Sequence, residues 1–226
     1  LKLSGRNLFT RSLIVVQFVV SIAFIICTLV MGRQIRLLIH SDTGFTKEGM
    51  PVIRNSQEED PARERLLSLL KARLEPSPYV GGVSESSRRM GLESYMRFRI
   101  KAGDEEFEAH NIRVSHDYFR VLGIDFRAGR DFSKEMSTDV SAAVVNECFA
   151  RRLGNGNCIG LTLKEGIFAR HPLTIIGVVR DYYLRSLHHE MSPVIHYLTP
   201  IEAKDSNSHI YVRIDRKNVT AALEHL

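Results

Sequence analysis

Residues 13–31 read LIVVQFVVSIAFIICTLVM, a run from Leu13 to Met31 without a charge, a proline or a glycine. As an α-helix rising about 1.5 Å per residue it is roughly 28 Å long, against a hydrocarbon core of about 30 Å. Thirteen of its residues are Leu, Ile, Val or Phe. At about −0.3 to −0.6 kcal/mol each, they favour insertion by at most about 4–8 kcal/mol. A cleaved signal peptide has a shorter apolar run, about 7–15 residues, and a small-residue cleavage site. Here the run closes on Met31-Gly32-Arg33, and Cys27 follows Ile26, a side chain too bulky for lipoprotein processing. A soluble helix this uniformly apolar would need covering on every side. The stretch is read as a membrane span.

Its three polar residues are not scattered. At about 100° per residue, Gln17, Ser21 and Thr28 fall within about 40° of one another. Such a stripe can hydrogen-bond a neighbouring helix in hydrocarbon. Ser and Thr can instead bond back to their own helix carbonyls, an outlet less open to the amide of Gln17. The stripe therefore predicts a helix-packing face, and with it further transmembrane helices outside this chain. Beyond Gly32, residues 33–40 keep helical phase, with Ile35, Leu38 and Ile39 to one side of Arg33 and Arg36, which predicts a stalk continuing into solvent. Lys2, Arg6 and Arg11 precede the span and two arginines follow it, so the positive-inside count leans towards a cytoplasmic N-terminus. The chain opens on Leu1 rather than Met and closes on Leu226 in a helix-like pattern. It is expected to be a segment of something longer.

Those five basic residues are the whole basic excess. None of the 26 Asp and Glu lies in residues 1–40, so a chain with a formal charge of +5 is neutral from residue 41 onward. A nucleic-acid module needs a basic face to displace counterions from phosphate, and nucleic acid is excluded as a partner. With 44% hydrophobic and 25% charged residues, the chain is also neither disordered nor collagen-like.

Residues 41–226 read as a globular domain of two subdomains, set off from the lead-in, span and stalk of 1–40. Asp42-Thr43-Gly44-Phe45 breaks the helix and Pro51-Val52-Ile53 opens a strand. Asp60-Pro61 is a helix start with proline in the first turn, followed by Leu66, Leu67, Leu70 and Leu74 on one face. Residues 79–86 form a strand. Met96, Phe98 and Ile100 alternate with Arg97, Arg99 and Lys101 and, across a Gly103-Asp104 turn, pair with 107–114 as a hairpin. A short helix over 117–122 closes on Gly123. A strand over 140–145 leads into a helix capped by Asn146 and ended by Gly154. Leu173–Val179 is the most apolar strand and is expected to be central. Strands at 194–198 and 209–214 precede a last helix capped by Asn218. Strands outnumber helices and pair locally, which predicts an α+β fold with mixed sheets.

No constellation for chemistry emerges. There is no phosphate-binding loop, since Gly81-Gly82 and Gly154-Asn155-Gly156 lack a following lysine, and no G-x-S-x-G elbow surrounds Ser84, Ser86 or Ser87. His188-His189-Glu190 lacks metal-ligand spacing. No catalytic, cofactor-binding or metal-binding residue is assigned. Cys148 and Cys158 are the one pair able to form a disulfide, which the sequence leaves open.

An ordered series of short motifs nevertheless has a counterpart. The run from Arg11 to Phe45, with Gln17 in the span, resembles the membrane-to-stalk entry of FtsX-like ABC transporter permeases. The soluble part resembles their MacB-like periplasmic core domain. The carrying residues are Tyr118-Phe119 with Leu122-Gly123-Ile124, Gly129-Arg130-Asp131-Phe132, Val145-Asn146-Glu147, Leu153-Gly154 and Ile159-Gly160. They continue through Ile175-Ile176-Gly177-Val178-Val179 with Asp181, and Arg185-Ser186-Leu187-His188. Cys158 departs from the pattern, which usually has proline there, and the family's closing trio of membrane helices is absent from the sequence. The resemblance implies a non-enzymatic permease segment in a bacterial inner membrane, its main domain periplasmic. It also implies a partner ABC-type ATPase, and further membrane helices from the parent chain or from a second permease copy. The structural roles it implies fall on Tyr118, Phe119, Gly123, Gly129, Arg130, Asn146, Glu147, Gly154, Gly160, Gly177 and Asp181. The competing reading is a single-pass anchored sensor or protein-interaction domain. An anchored hydrolase has no supporting constellation.

Overall fold

A computed structural model describes residues 4–46, 49–55, 60–91, 97–102, 105–154, 158–165, 168–185, 189–198 and 208–215. The chain divides into two compact units, residues 1–42 and residues 43–226.

The first unit is one helix, α1 (Ser4–His40), which runs through Gly32 without a break. Its segment Phe9–Leu38 is long and apolar enough to cross a membrane. Thr28 Oγ1 donates to the Phe24 carbonyl at 2.8 Å, so this hydroxyl is satisfied within its own helix.

Among the described residues, the second unit contains two sheets. The smaller has the order β1 (Val52–Asn55), β10 (Ser208–Ile214), β2 (Val80–Ser86), all antiparallel. On one face of it lies α2 (Asp60–Leu74), whose Leu66, Leu67, Leu70 and Leu74 pack on Val83, Ile210, Val212 and Ile214. The leucine spacing read in the sequence is the buried stripe.

The larger sheet is mixed. Its order is β3 (Arg97–Ala102), β4 (Glu105–Arg113), β9 (Val194–Tyr197), β6 (Ala142–Asn146), β8 (Leu173–Val179) and β5 (Phe126–Gly129). The two-residue β7 (Thr162–Leu163) pairs with the start of β8, and β5 with its end. The strand expected to be central is thus second from the edge, and β9 and β6 occupy the middle. β5 and β7 were not expected, being short, half-exposed and without alternation. Lys101 Nζ lies 2.9 Å from a Glu165 carboxylate oxygen, so β3 curls towards the segment after β7. Every residue of β6 is buried, with Ala143 and Val145 in one core and Ala142 and Val144 in the other. The first core holds Phe149, Phe168, Ile195 and Tyr197, and the second Tyr118, Phe119, Tyr182 and Tyr211.

The sheets are joined where β2 meets the end of β4. Ser87 N donates to Arg113 O and Ser115 N to Glu85 O, both at 2.9 Å. Ser115 Oγ accepts from Glu85 N at 3.0 Å and Ser87 Oγ from Arg113 N at 3.1 Å. Side chains thus satisfy amides where the ladder ends.

Most strand and helix ends shift by a residue or two, and two of the shifts have a local cause. The strand read from residue 140 begins at Ala142, because Ser137–Ser141 is a 3₁₀ turn that exposes Val140 and buries Asp139. The short helix α3 (Tyr118–Leu122) ends at Gly123, and in α4 (Glu147–Arg152) Leu153 is the C-cap and Gly154, at φ 74°, follows it. The Gly103-Asp104 turn and the helix expected at Asn218 lie outside the described residues.

Leu74 is 2% exposed and Leu69, on the same helix, 61%. Leu74→Ala is expected to lower the unfolding free energy by about 2–4 kcal/mol and Leu69→Ala by under about 0.5 kcal/mol. Denaturant titration of the two variants checks the assignment of the buried face.

Candidate functional site

Three clusters gather most of the motif residues, all in the second unit. The first surrounds the start of α4. Asn146 is fully buried, and its Oδ1 accepts from Phe149 N at 3.0 Å and from Val194 N at 2.9 Å. Its Nδ2 donates to Ser192 O at 2.9 Å. One amide therefore caps the helix and fixes the entry to β9. Asp181, just past β8, supplies a second cap: its Oδ1 accepts from Cys148 N at 2.7 Å, while its Oδ2 accepts from Arg151 Nη2 at 2.7 Å. The Asp181 amide donates in turn to Glu147 Oε2 at 3.0 Å, whose Oε1 lies 3.4 Å from Arg127 Nε. Two carboxylates and an amide thus interlock α4 with β5, β8 and β9.

The second cluster is a close backbone approach. β8 carries a register shift at Ile176–Gly177, and Arg130 N donates to the displaced Ile176 carbonyl at 3.1 Å. Gly129 has φ 73°, and a Cβ there would sit 2.2 Å from Ile176 O; one on Gly177 would sit 2.4 Å from Arg130 O. Neither position tolerates a side chain. Arg130 then forks onto buried Asp139, with both N···O distances 2.7 Å. Asp139 Oδ2 also accepts from Ser133 N at 2.8 Å. The guanidinium bonds hold the Asp139 carboxyl below its usual range against the opposing effect of burial.

The third is aromatic. Phe119 meets His196 edge-on at 4.9 Å and Tyr118 at 5.4 Å between centroids. His196 Nδ1 lies 2.9 Å from the Val144 carbonyl and must donate to it, so Nε2 accepts from the Tyr182 hydroxyl. Burial pushes the imidazole down to about 4, partly offset by the Val144 bond, and it stays neutral within the core.

Gly123 and Gly160 serve separate turns with φ of 66° and 88°. Cys148 and Cys158 are both free thiols: Cys158 is buried in the first core and Cys148 Sγ points at the Met191 carbonyl, 3.5 Å away. Burial raises both thiols. No group of three or more metal-ligating side chains occurs among the described residues. Asp139, Arg151, Tyr182 and His196 were missed in the sequence because each gains its role from a partner brought in by the fold.

Two carboxylates near the Arg130 loop diverge. Burial pushes Asp117 up, but hydrogen bonds from Lys71, at 2.7 Å, and Arg120, at 3.1 Å, outweigh it and hold the group at about 2. Burial raises Asp131 to about 6, against the hydrogen bond that its Oδ1 accepts from Phe132 N at 2.7 Å. A folded-state value above the unfolded one means that the native state holds the extra proton, so this group's contribution falls as pH rises from about 4 through about 6. Asp131→Asn keeps the acceptor and removes the charge. It is expected to raise stability by about 1–2 kcal/mol at pH 7.5 and to change little at pH 4, measured by melting at the two pH values. Asn146→Ala strands two amides and a carbonyl, and is expected to cost about 2–4 kcal/mol by denaturant titration.

The model of the MacB-like periplasmic core domain family matches residues 13–226. The structure of the periplasmic region of MacB from Actinobacillus actinomycetemcomitans aligns over 83% of this chain and 87% of that one, with a TM-score of 0.51 and 18% identity. The extracellular domain of the ABC-type transporter YknZ from Gram-positive bacteria aligns over 76% and 88%, with a TM-score of 0.51 and 15% identity. At these identities the likeness is one of fold. No curated protein matches the sequence. Because the family match takes in both the apolar helix from residue 13 and the whole second unit, the chain belongs to the MacB-like periplasmic core domain family of ABC transporter permeases.

Proposed function

We propose that this chain is the mechanical segment of an ABC permease: α1 spans a bacterial inner membrane with its N-terminus cytoplasmic, and residues 41–226 form the periplasmic domain that it moves. A partner ABC-type ATPase supplies the motion, which drives export or extraction of a substrate. The observation that carries this reading is the continuity of α1. Its 37 residues make a rod of about 55 Å at 1.5 Å per residue, well beyond a hydrocarbon core of about 30 Å. An unbroken helix transmits displacement along its axis, whereas a flexible linker dissipates it.

Within this reading, Gln17, Ser21 and Thr28 face further transmembrane helices, from the same parent chain or a second permease copy. Thr28 is already bonded to Phe24, so Gln17 contributes most to that packing. The motif residues around Asn146, Glu147 and Asp181, and those around Gly129, Arg130 and Gly177, act as the frame that lets the periplasmic domain move as one body. The lipid bilayer is the remaining partner.

Inserting two glycines after Ile35 is expected to uncouple the parts. In the parent permease reconstituted with its ATPase, a fluorescent probe at exposed Lys164 should lose its ATP-dependent signal while ATP hydrolysis continues. An unchanged signal would sink the lever.

A further inference from the structure

One face of the smaller sheet gathers positive charge. Arg54 on β1 lies opposite His209 on β10, which lies opposite Ser86 on β2. Residues directly opposite in antiparallel strands point to the same side. Tyr211, two residues along β10, shares that side, and Ile210 and Val212 point the other way, into the α2 core. The segment after β2 folds back over this face because the Tyr211 hydroxyl accepts from Met90 N at 2.9 Å and donates to Arg88 O at 3.1 Å. The hinge of the fold-back is fixed by Ser86 Oγ, which donates to the same Arg88 carbonyl.

The result is a concentration of cations. Among the described residues, the charged groups acting on His209 are Arg89, Arg54 and Arg88. No described carboxylate forms an ion pair with Arg54 or Arg88, whereas Arg97, Arg99, Arg120, Arg127, Arg130 and Arg151 each have one. His209 Nδ1 is buried without a hydrogen-bond partner, a costly state for a polar atom. Among the described residues, this spot is both electropositive and under-satisfied.

We propose that the face formed by Arg54, Arg88 and His209 binds a phosphate group, carried either by free phosphate or by a phosphorylated lipid headgroup. Guanidinium forks match oxyanions in geometry. An oxyanion with several acceptor atoms can engage two forks and the His209 Nδ1–H together, since a neutral imidazole can place its proton on either nitrogen. The Tyr211 clamp on the 88–90 segment preorganises the donors. The site is separate from the three motif clusters and does not depend on the lever reading.

The test is calorimetric titration of the full chain in uncharged maltoside micelles, with inorganic phosphate and separately with dihexanoyl phosphatidic acid. Saturable binding is expected, weakened at least tenfold in R54Q/R88Q and also weakened in R54Q alone, where the exposed position leaves folding intact. R99Q on β3 removes the same charge as R54Q and should bind as the parent does. Tighter binding of phosphatidic acid than of phosphate would identify a lipid source, and equal binding a free anion; either supports the site. No saturable binding of either ligand, or equal losses in R99Q and R54Q/R88Q, would overturn it.

Discussion

The first turn of α4 is pressed against buried strands, and its leading amides have no partner in any ladder. Asn146 and Asp181 provide those partners from opposite directions, one from the strand feeding the helix and one from the loop after β8. Much of the larger sheet depends on this. The same Asn146 side chain holds the start of β9, and Glu147 holds the backbone of Asp181. Buried polar networks specify a fold when every member is satisfied and weaken it when one is not. Here a few hydrogen bonds decide where three strands and a helix meet.

A second constraint acts alongside it. β8 bulges at Ile176–Gly177 and offers a carbonyl sideways, and the turn after β5 comes close enough to take it only because Gly129 and Gly177 have no side chains. The approach carries Arg130 to Asp139 and so shapes the 3₁₀ turn before β6. A bulge of this kind redirects a neighbouring segment at a fixed point.

How much of this could be read from the sequence follows the range of the interactions. The unbroken helix α1, the leucine face of α2, the β3–β4 hairpin and the Asn146 cap rest on neighbours a few residues apart, and all match the residues that predicted them. Val140 was placed in a strand because it is apolar, whereas the Arg130–Asp139 fork forms a turn there and leaves it outside. β5 escaped notice because Phe126-Arg127-Ala128-Gly129 has no period of its own and is a strand only by pairing with Val178 and Val179. The His196–Tyr182 pair and the Arg54–His209 face need strands from distant parts of the chain in register. The family motifs located the clusters without revealing their partners.

The placement of β10 bears on how the protein comes into being. It sits between β1 and β2, although it is made long after both. A ribosome delivering the chain from its N-terminus therefore produces β1, α2 and β2 with no middle strand to join them, and Leu74 and Val83 stay wet until residues 208–214 arrive. Such late closure of a non-local contact is slow and leaves sticky edges on display. A chain closed this late exposes its unfinished sheet to misassociation for as long as synthesis lasts.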